Sequence, residues 1–152
     1  DQDLNVISLD TAIETREMVA AYKKAWSKRY SRPKWPKIGI GRFVVVGETE
    51  GEALKLARRA YRVWHSSFNY LFRYRGAAAP RHQRPAEFEA MAEMGRAVAG
   101  TSEKVIEFLR KEMVQSDANY LVGQFVFGDM SSDEAQSSVG LFISEVMPHL
   151  SE

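Results

Sequence analysis

Asn119-Tyr-Leu-Val-Gly-Gln-Phe-Val-Phe-Gly-Asp129 is the longest apolar run of the chain, and Ser131-Ser-Asp-Glu134 follows it at once. The run reads as a buried strand. The four residues after it read as a helix start, with Ser131 accepting a backbone N–H and Glu134 reaching back to the serine's own N–H. Such a joint is where α/β folds place ligands. Gly128 permits a sharp turn, which leaves Gln124, Phe125, Phe127 and Asp129 as the side chains available to a ligand at the strand's carboxyl end.

Two further strands precede it. Leu4 to Leu9 forms a short one, and Ile38-Gly-Ile-Gly-Arg-Phe-Val-Val-Val46 a second whose near-continuous β-branched and aromatic content implies burial on both faces and parallel pairing. Gly39 and Gly41 alternate, so one face near its start lacks side chains. A Gly-x-Gly inside a strand is not a dinucleotide fingerprint. Thr11 with Glu14 and Thr49 with Glu52 repeat the capping pattern. The first opens a helix with Met18, Val19, Tyr22 and Trp26 on one face; the second opens the longest helical pattern, carrying Ala53, Leu54, Ala57, Ala60, Tyr61 and Trp64.

That helix runs into His65 to Gly76, where periodicity weakens and aromatics crowd, and residues 76 to 85 read as a loop. This excursion reads either as a surface insertion whose aromatics pack on the domain or as a lid with an aromatic wall and arginines for an anionic group. Pro85 to Ala99 is expected to resume a helix stopped at Gly100, and Thr101 or Ser102 to cap the next, which buries Val105, Ile106, Leu109 and Met113. The last helix presents Ala135, Val139, Phe142, Ile143, Val146 and Leu150 and is weakened by Pro148. Strand, helix, strand, helices, strand, helix is a βαβ order, giving about three parallel strands and five helices. Three buried parallel strands leave edges and a face uncovered, which favours pairing with another copy or membership of something larger.

Composition narrows the chemistry. The 152 residues are 45% hydrophobic and 27% charged, an ordinary single globular domain over 1–152, with a net charge of +1. The absence of cysteine excludes disulfides, thiol catalysis and cysteine-held metals, and fits a cytoplasmic protein. His65, His82 and His149 have no ligand spacing, so no metal is expected. No run approaches the roughly 20 apolar residues of a membrane span. The first residue is Asp1 rather than methionine, which suggests a processed, trimmed or truncated product. Lys23 to Lys37 holds seven Lys or Arg and no acid, interleaved with Trp26, Tyr30 and Trp35. Nucleic-acid binding there and at Arg73 to Arg84 is the lesser alternative to a helix end followed by a proline-stiffened loop.

Taken together, several stretches resemble the C-terminal part of the luciferase-like monooxygenase family. They are Phe43-Val-Val-Val-Gly-Glu-Thr-Glu-Gly-Glu-Ala53 with Ala57, Ala60 and Tyr61; Phe68-Asn-Tyr-Leu-Phe72; Gly95-Arg-Ala-Val-Ala-Gly-Thr-Ser-Glu103 with Val105; and Ala118 to Asp129 running into Glu134-Ala135 and Glu145-Val-Met-Pro148. The last is the most specific. The resemblance implies a partial (β/α)8 TIM barrel, FMN or a deazaflavin as cofactor, reduced flavin and a small-molecule substrate as partners, and a homo-oligomer. It places Gln124, Phe125, Phe127, Gly128 and Asp129 near flavin or substrate at the carboxyl ends of the strands, and makes residues 66–85 a lid-like excursion over the barrel mouth with Asn69, Tyr70 and Phe72 as candidate lid or substrate residues. The resemblance implies a flavin-dependent monooxygenase or related oxidoreductase; members are about twice as long, so the chain is expected to be its C-terminal portion, whose activity depends on the missing half, and the alternative is a non-catalytic homodimerising module of the same ancestry.

Overall fold

A computed structural model describes residues 4–29, 35–76 and 84–150. Its centre is β2 (Ile38–Val46), buried along all nine residues. Three strands run parallel to it and pair with it: β1 (Val6–Ser8) along 38–40, β3 (Ala97–Gly100) along 43–46, and β4 (Tyr120–Gln124) along 39–43. Backbone parity fixes which edge each takes, because successive residues of a strand direct their N–H and C=O groups to opposite edges. The Val6 N–H reaches the Lys37 carbonyl and the Phe43 N–H reaches the Arg96 carbonyl, whereas the Asn119 N–H reaches the Ile38 carbonyl. β1 and β3 therefore share one edge of β2, end to end, and β4 occupies the other.

Helix placement follows from this order. Between β1 and β2 the chain crosses the sheet in one direction, and between β2 and β3 it returns. Right-handed crossovers then put α1 (Ala12–Arg29) on one face and α2 (Glu50–Tyr74) on the opposite one. α3 (Phe88–Glu93) follows α2 on its side. The passage from β3 to β4 brings α4 (Ser102–Ser116) back beside α1, and α5 (Ser132–Leu141) closes that face.

β2 and β3 divide the apolar residues between two cores by simple alternation. Phe43, Val45, Ala97 and Ala99 meet Ala53, Ala57, Ala60 and Tyr61 of α2, together with Phe88, Met91 and Phe127. Val44, Val46 and Val98 meet Val105 and Leu109 of α4, with Phe142 and Val146 beyond α5. Two of the three expected capping boxes are built as the spacing predicts, and the third is only half formed. Thr11 and Ser131 each form the reciprocal box with Glu14 and Glu134. Thr49 accepts from the Glu52 N–H, while the Glu52 carboxylate takes the threonine hydroxyl instead of a backbone donor.

Several sequence expectations change. The helix expected from Pro85 to Ala99 is only α3, because Gly95 (φ +70°) ends it: the Arg96 N–H returns to the Met91 carbonyl and the Gly95 N–H to that of Ala92. Ala97–Gly100 then pairs as a fourth strand, since its small residues fit between β2 and the helices. The first strand is trimmed to Val6–Ser8, and the last stops at Gln124, so Phe125 to Asp129 is loop. Helix α2 does not weaken at His65 but continues to Tyr74, as a stretch free of Gly and Pro from Glu52 onward allows. Residues 66–74 of the expected excursion are thus helical, and 77–83 lie outside the described residues. Finally, the last helix passes through a π-helical turn (Phe142–Val146) into a 3₁₀ turn at Pro148. The phase change turns Ile143 outward and leaves Phe142 and Val146 inside.

Candidate functional site

The α2 face of β2 carries a continuous aromatic wall. Phe43 lies edge-on to Trp64 (4.8 Å between centroids), Phe127 (4.9 Å) and Tyr61 (5.5 Å). Trp64 stacks on Phe68 at 4.9 Å, and Phe68 leads to Phe72 at 6.1 Å. The spacing of 61, 64, 68 and 72 keeps these rings on one side of α2, so the wall starts in the core and ends in solvent. Phe72 therefore belongs to the wall. Asn69 is committed to its own helix, donating from Nδ2 to the His65 carbonyl, and Tyr70 stacks on Tyr74 on another side of α2.

The five residues at the carboxyl end of β4 do not share one surface. Gln124 pairs in register with Phe43 and shares its face. Phe125 turns to the other face and meets Phe142 at 4.6 Å. Phe127 is buried within the aromatic wall. Gly128, at φ +62°, lies so close to α2 that a Cβ would sit 1.9 Å from the Ala60 carbonyl oxygen. Asp129 accepts from Arg59 Nε at 3.2 Å.

The reversal of direction after β2 creates a crevice. β2 leaves toward α2 and β4 leaves toward α5, on opposite faces, and open α/β sheets bind ligands at such switch points. A cleft of about 480 Å³ lies there, bordered by Gly47, Glu48, Glu52, Asp133, Glu134 and Ser137. Two helix N-termini face it, yet four carboxylates already complement them, so the cleft repels an anion. Glu134 is the most firmly held: the Arg59 guanidinium, then the Ser131 N–H, bring its pKa down to about 2 from the ordinary 4.5. A folded-state value below the unfolded one contributes stability above pH 4.5 that is lost as pH falls toward 2. The stability gap between wild type and Glu134→Gln is thus expected to shrink over that window. Because the pair faces solvent, the change amounts to less than about 1 kcal/mol. Denaturant midpoints measured at both ends of the window test this, and a gap independent of pH contradicts it.

Sequence reasoning missed the buried charges. Arg42, fully enclosed in β2, donates from Nε (3.0 Å) and Nη2 (2.7 Å) to Glu112 of α4, and from Nη1 to the Gly41 carbonyl. The signal was one charge inside an apolar strand, which demands a partner. Arg96, only 4% exposed, reaches Asp10 at 3.3 Å and Glu14 at 3.4 Å through Nη2. Tyr61 donates to the Pro85 carbonyl at 2.8 Å, and burial pushes its hydroxyl up to about 12. Ser138 was also missed: its hydroxyl accepts the Val46 N–H and closes the end of β2.

Among the described residues no group of His, Asp and Glu is placed to hold a metal ion, and no helix is long and apolar enough to cross a membrane.

Residues 6–124 match the luciferase-like monooxygenase family. Over 110 residues the chain is 31% identical to the uncharacterized protein y4wF of Sinorhizobium fredii, a match covering 72% of this chain and 32% of that one. It thus spans about a third of that relative. The fold superposes on the crystal structure of monooxygenase RslO1 from Streptomyces bottropensis with a TM-score of 0.70 at 16% identity, over 95% of this chain and 41% of the other.

Proposed function

This chain belongs to the luciferase-like monooxygenase family, and on that premise we propose that it supplies one wall of the flavin and substrate site in a flavin-dependent monooxygenase. The observation carrying the reading is the family match over 6–124, which includes the wall residues Phe43, Trp64, Phe68 and Phe72. The family generally uses reduced flavin; FMN is the proposed cofactor, with a deazaflavin as variant, and a small molecule the proposed substrate. When bound, the reduced flavin supplies the electrons that activate dioxygen.

The residues fit only part of that cofactor. Near the N-terminal end of the α2 face, Ile7, Leu9 and Tyr120 lean over Gly39 and Gly41, whose missing side chains leave room for them, and all three are partly exposed. This open apolar surface suits a flat ring. The cleft at the carboxyl end of β2 does not suit a phosphate, since Glu48, Glu52, Asp133 and Glu134 border it. The tip residues Gly128 and Asp129 are occupied by Ala60 and Arg59. The chain's own contribution is therefore to exclude water and position a ring rather than to hold the cofactor's charged end. Titration with FMN is expected to quench flavin fluorescence as the ring meets the tyrosine and tryptophan side chains. Emission that stays unchanged to millimolar protein would remove the reading.

A second reading is favoured by the edge of β4 that pairs with no strand among the described residues and by the exposed Ile7, Leu9 and Tyr120. In it the chain pairs with another copy as a non-catalytic module. Light scattering separates the two, because a monodisperse 17.3 kDa particle excludes self-association.

A further inference from the structure

Helix α2 is seated by its first half. Its buried residues, Ala53, Ala57, Ala60 and Tyr61, all precede the midpoint of its 25 residues, and the aromatic wall continues that stripe outward. A second apolar stripe starts where this burial ends. Val63, Ser67, Tyr70 and Tyr74 recur at intervals of four, three and four residues, which sets them on one side of the helix with Leu71 at the border. Val63 is 40% exposed, Tyr70 57%, Leu71 60% and Tyr74 76%, so the described elements leave this side open. The two tyrosines stack on each other at 5.9 Å, and their hydroxyls take no hydrogen-bond partner among the described residues.

The flank of this stripe is basic. From Ala53 to Ala86 the chain has no Asp or Glu. Arg58 is neutralised by Glu89, and Arg59 by Asp129 and Glu134. Arg62, Arg73 and Arg75 are exposed and have no carboxylate partner among the described residues. Arg62, Ser66 and Arg73 line the side next to the stripe, where Arg73 Nη2 donates to the Ser66 carbonyl at 2.9 Å. A second copy does not suit this surface. Two such helices packed antiparallel would bring Arg62 of each against Arg73 and Arg75 of the other, and like charges brought together oppose association. The surface complements negative charge instead. Tyrosine suits a boundary with its ring in an apolar layer and its hydroxyl in a wet one, and exposed apolar side chains beside arginine characterise helices that lie in a lipid headgroup layer.

We propose that the last three turns of α2 form a docking face for an anionic bilayer. Val63, Tyr70, Leu71 and Tyr74 enter the boundary between headgroups and acyl chains, while Arg62, Arg73 and Arg75 meet the lipid phosphates. The contact is peripheral, in keeping with the absence of a membrane-crossing helix among the described residues. It uses a side of α2 apart from Trp64, Phe68 and Phe72 and does not rest on flavin binding.

Co-sedimentation of the chain with vesicles tests this, comparing phosphatidylcholine alone with equal parts of phosphatidylcholine and phosphatidylglycerol. Partitioning onto the anionic vesicles is expected to exceed that onto the neutral ones by at least about tenfold, and to fall as sodium chloride is raised. Arg62→Gln with Arg73→Gln should lower it by about tenfold or more, at roughly fivefold for each arginine. Leu71→Ser with Tyr74→Ser keeps every charge and should also lower it by about tenfold. Lys111→Gln, on α4, removes an equal charge elsewhere and should leave it unchanged. All five positions face solvent, so circular dichroism should show the fold intact in each variant. Equal partitioning onto the two vesicle types, or none onto either, overturns the inference. So does a loss with Lys111→Gln as large as with the α2 arginines, or no loss with the Leu71 and Tyr74 changes. Sedimentation velocity without lipid is the other arm: dimers that the Leu71 and Tyr74 changes dissolve would assign the stripe to a second copy and overturn it as well.

Discussion

Gly128→Ala is expected to lower unfolding stability by on the order of 3–5 kcal/mol, among the largest effects of any single methyl group in this chain. Two costs add. The backbone at φ +62° lies in the left-handed region, which a residue bearing a Cβ adopts at a penalty of roughly 1–2 kcal/mol. The new methyl would also sit 1.9 Å from the Ala60 carbonyl oxygen, and that atom belongs to the backbone of α2, which cannot turn aside as a flexible side chain does. Relief requires the β4–α5 loop to lift from the helix, withdrawing Phe127 from Phe43 and loosening the Arg59 contacts of Asp129 and Glu134. Gly51→Ala is the matched control. It lies within α2 with nothing near its absent Cβ, so the same chemical change there should stabilise by about 0.5–1 kcal/mol. Urea unfolding followed by tryptophan fluorescence reads both. Equal midpoints for the two variants would show that loop and helix are not in contact as described.

Removing the partner of Arg42 is expected to cost about 3–5 kcal/mol in Glu112→Ala, because a guanidinium would remain enclosed with no counter-charge. Burial already depresses the Arg42 pKa despite the Glu112 contacts that raise it. The carboxylate has a second structural duty: it occupies the space beside Gly95, where a Cβ would lie 2.6 Å from Glu112 Oε1. The ion pair thus links β2, α4 and the turn into β3. Replacing both members, as Arg42→Met with Glu112→Leu, should recover most of the loss, since well-packed apolar residues substitute for buried ion pairs at little net cost. The double-mutant cycle gives the coupling directly. A Glu112→Ala protein as stable as wild type, or a double variant no better than the single, would contradict the pairing.

The legible parts of the fold were those governed by local chemistry. Ile38–Val46 announces a strand buried on both sides, because nothing else accommodates so many β-branched residues in a row, and the threonine and serine starts of α1, α2 and α5 are fixed by side chains three residues away. What was not legible depends on partners distant in sequence. Ala97–Gly100 has the small residues of a helix and becomes a strand only because the edge of β2 beyond β1 is free to receive it. Aromatics from Trp64 to Phe72 look irregular until Arg84 and Phe43 are set against them. At the β4 tip, the turn at Gly128 was readable, but the reason for it was not: the glycine is required by the Ala60 carbonyl of α2, far earlier in the chain. Likewise Arg42 signalled a missing partner without naming Glu112, because a strand sequence does not reveal which helix lies on it.

The alternation that sends Val44 and Val46 one way and Phe43 and Val45 the other has a dynamic counterpart. α2 with its aromatics and α4 with α5 contact different sides of the same strands, so either helical layer can loosen while the opposite one remains seated. Such partial opening defines cooperative units smaller than the whole molecule. Amide exchange would then resolve three ranks of protection: one for each helical layer, and a slower one for the interior of β2, whose hydrogen bonds survive until both layers have departed. The central strand keeps the time of global unfolding, and the helices beside it keep their own.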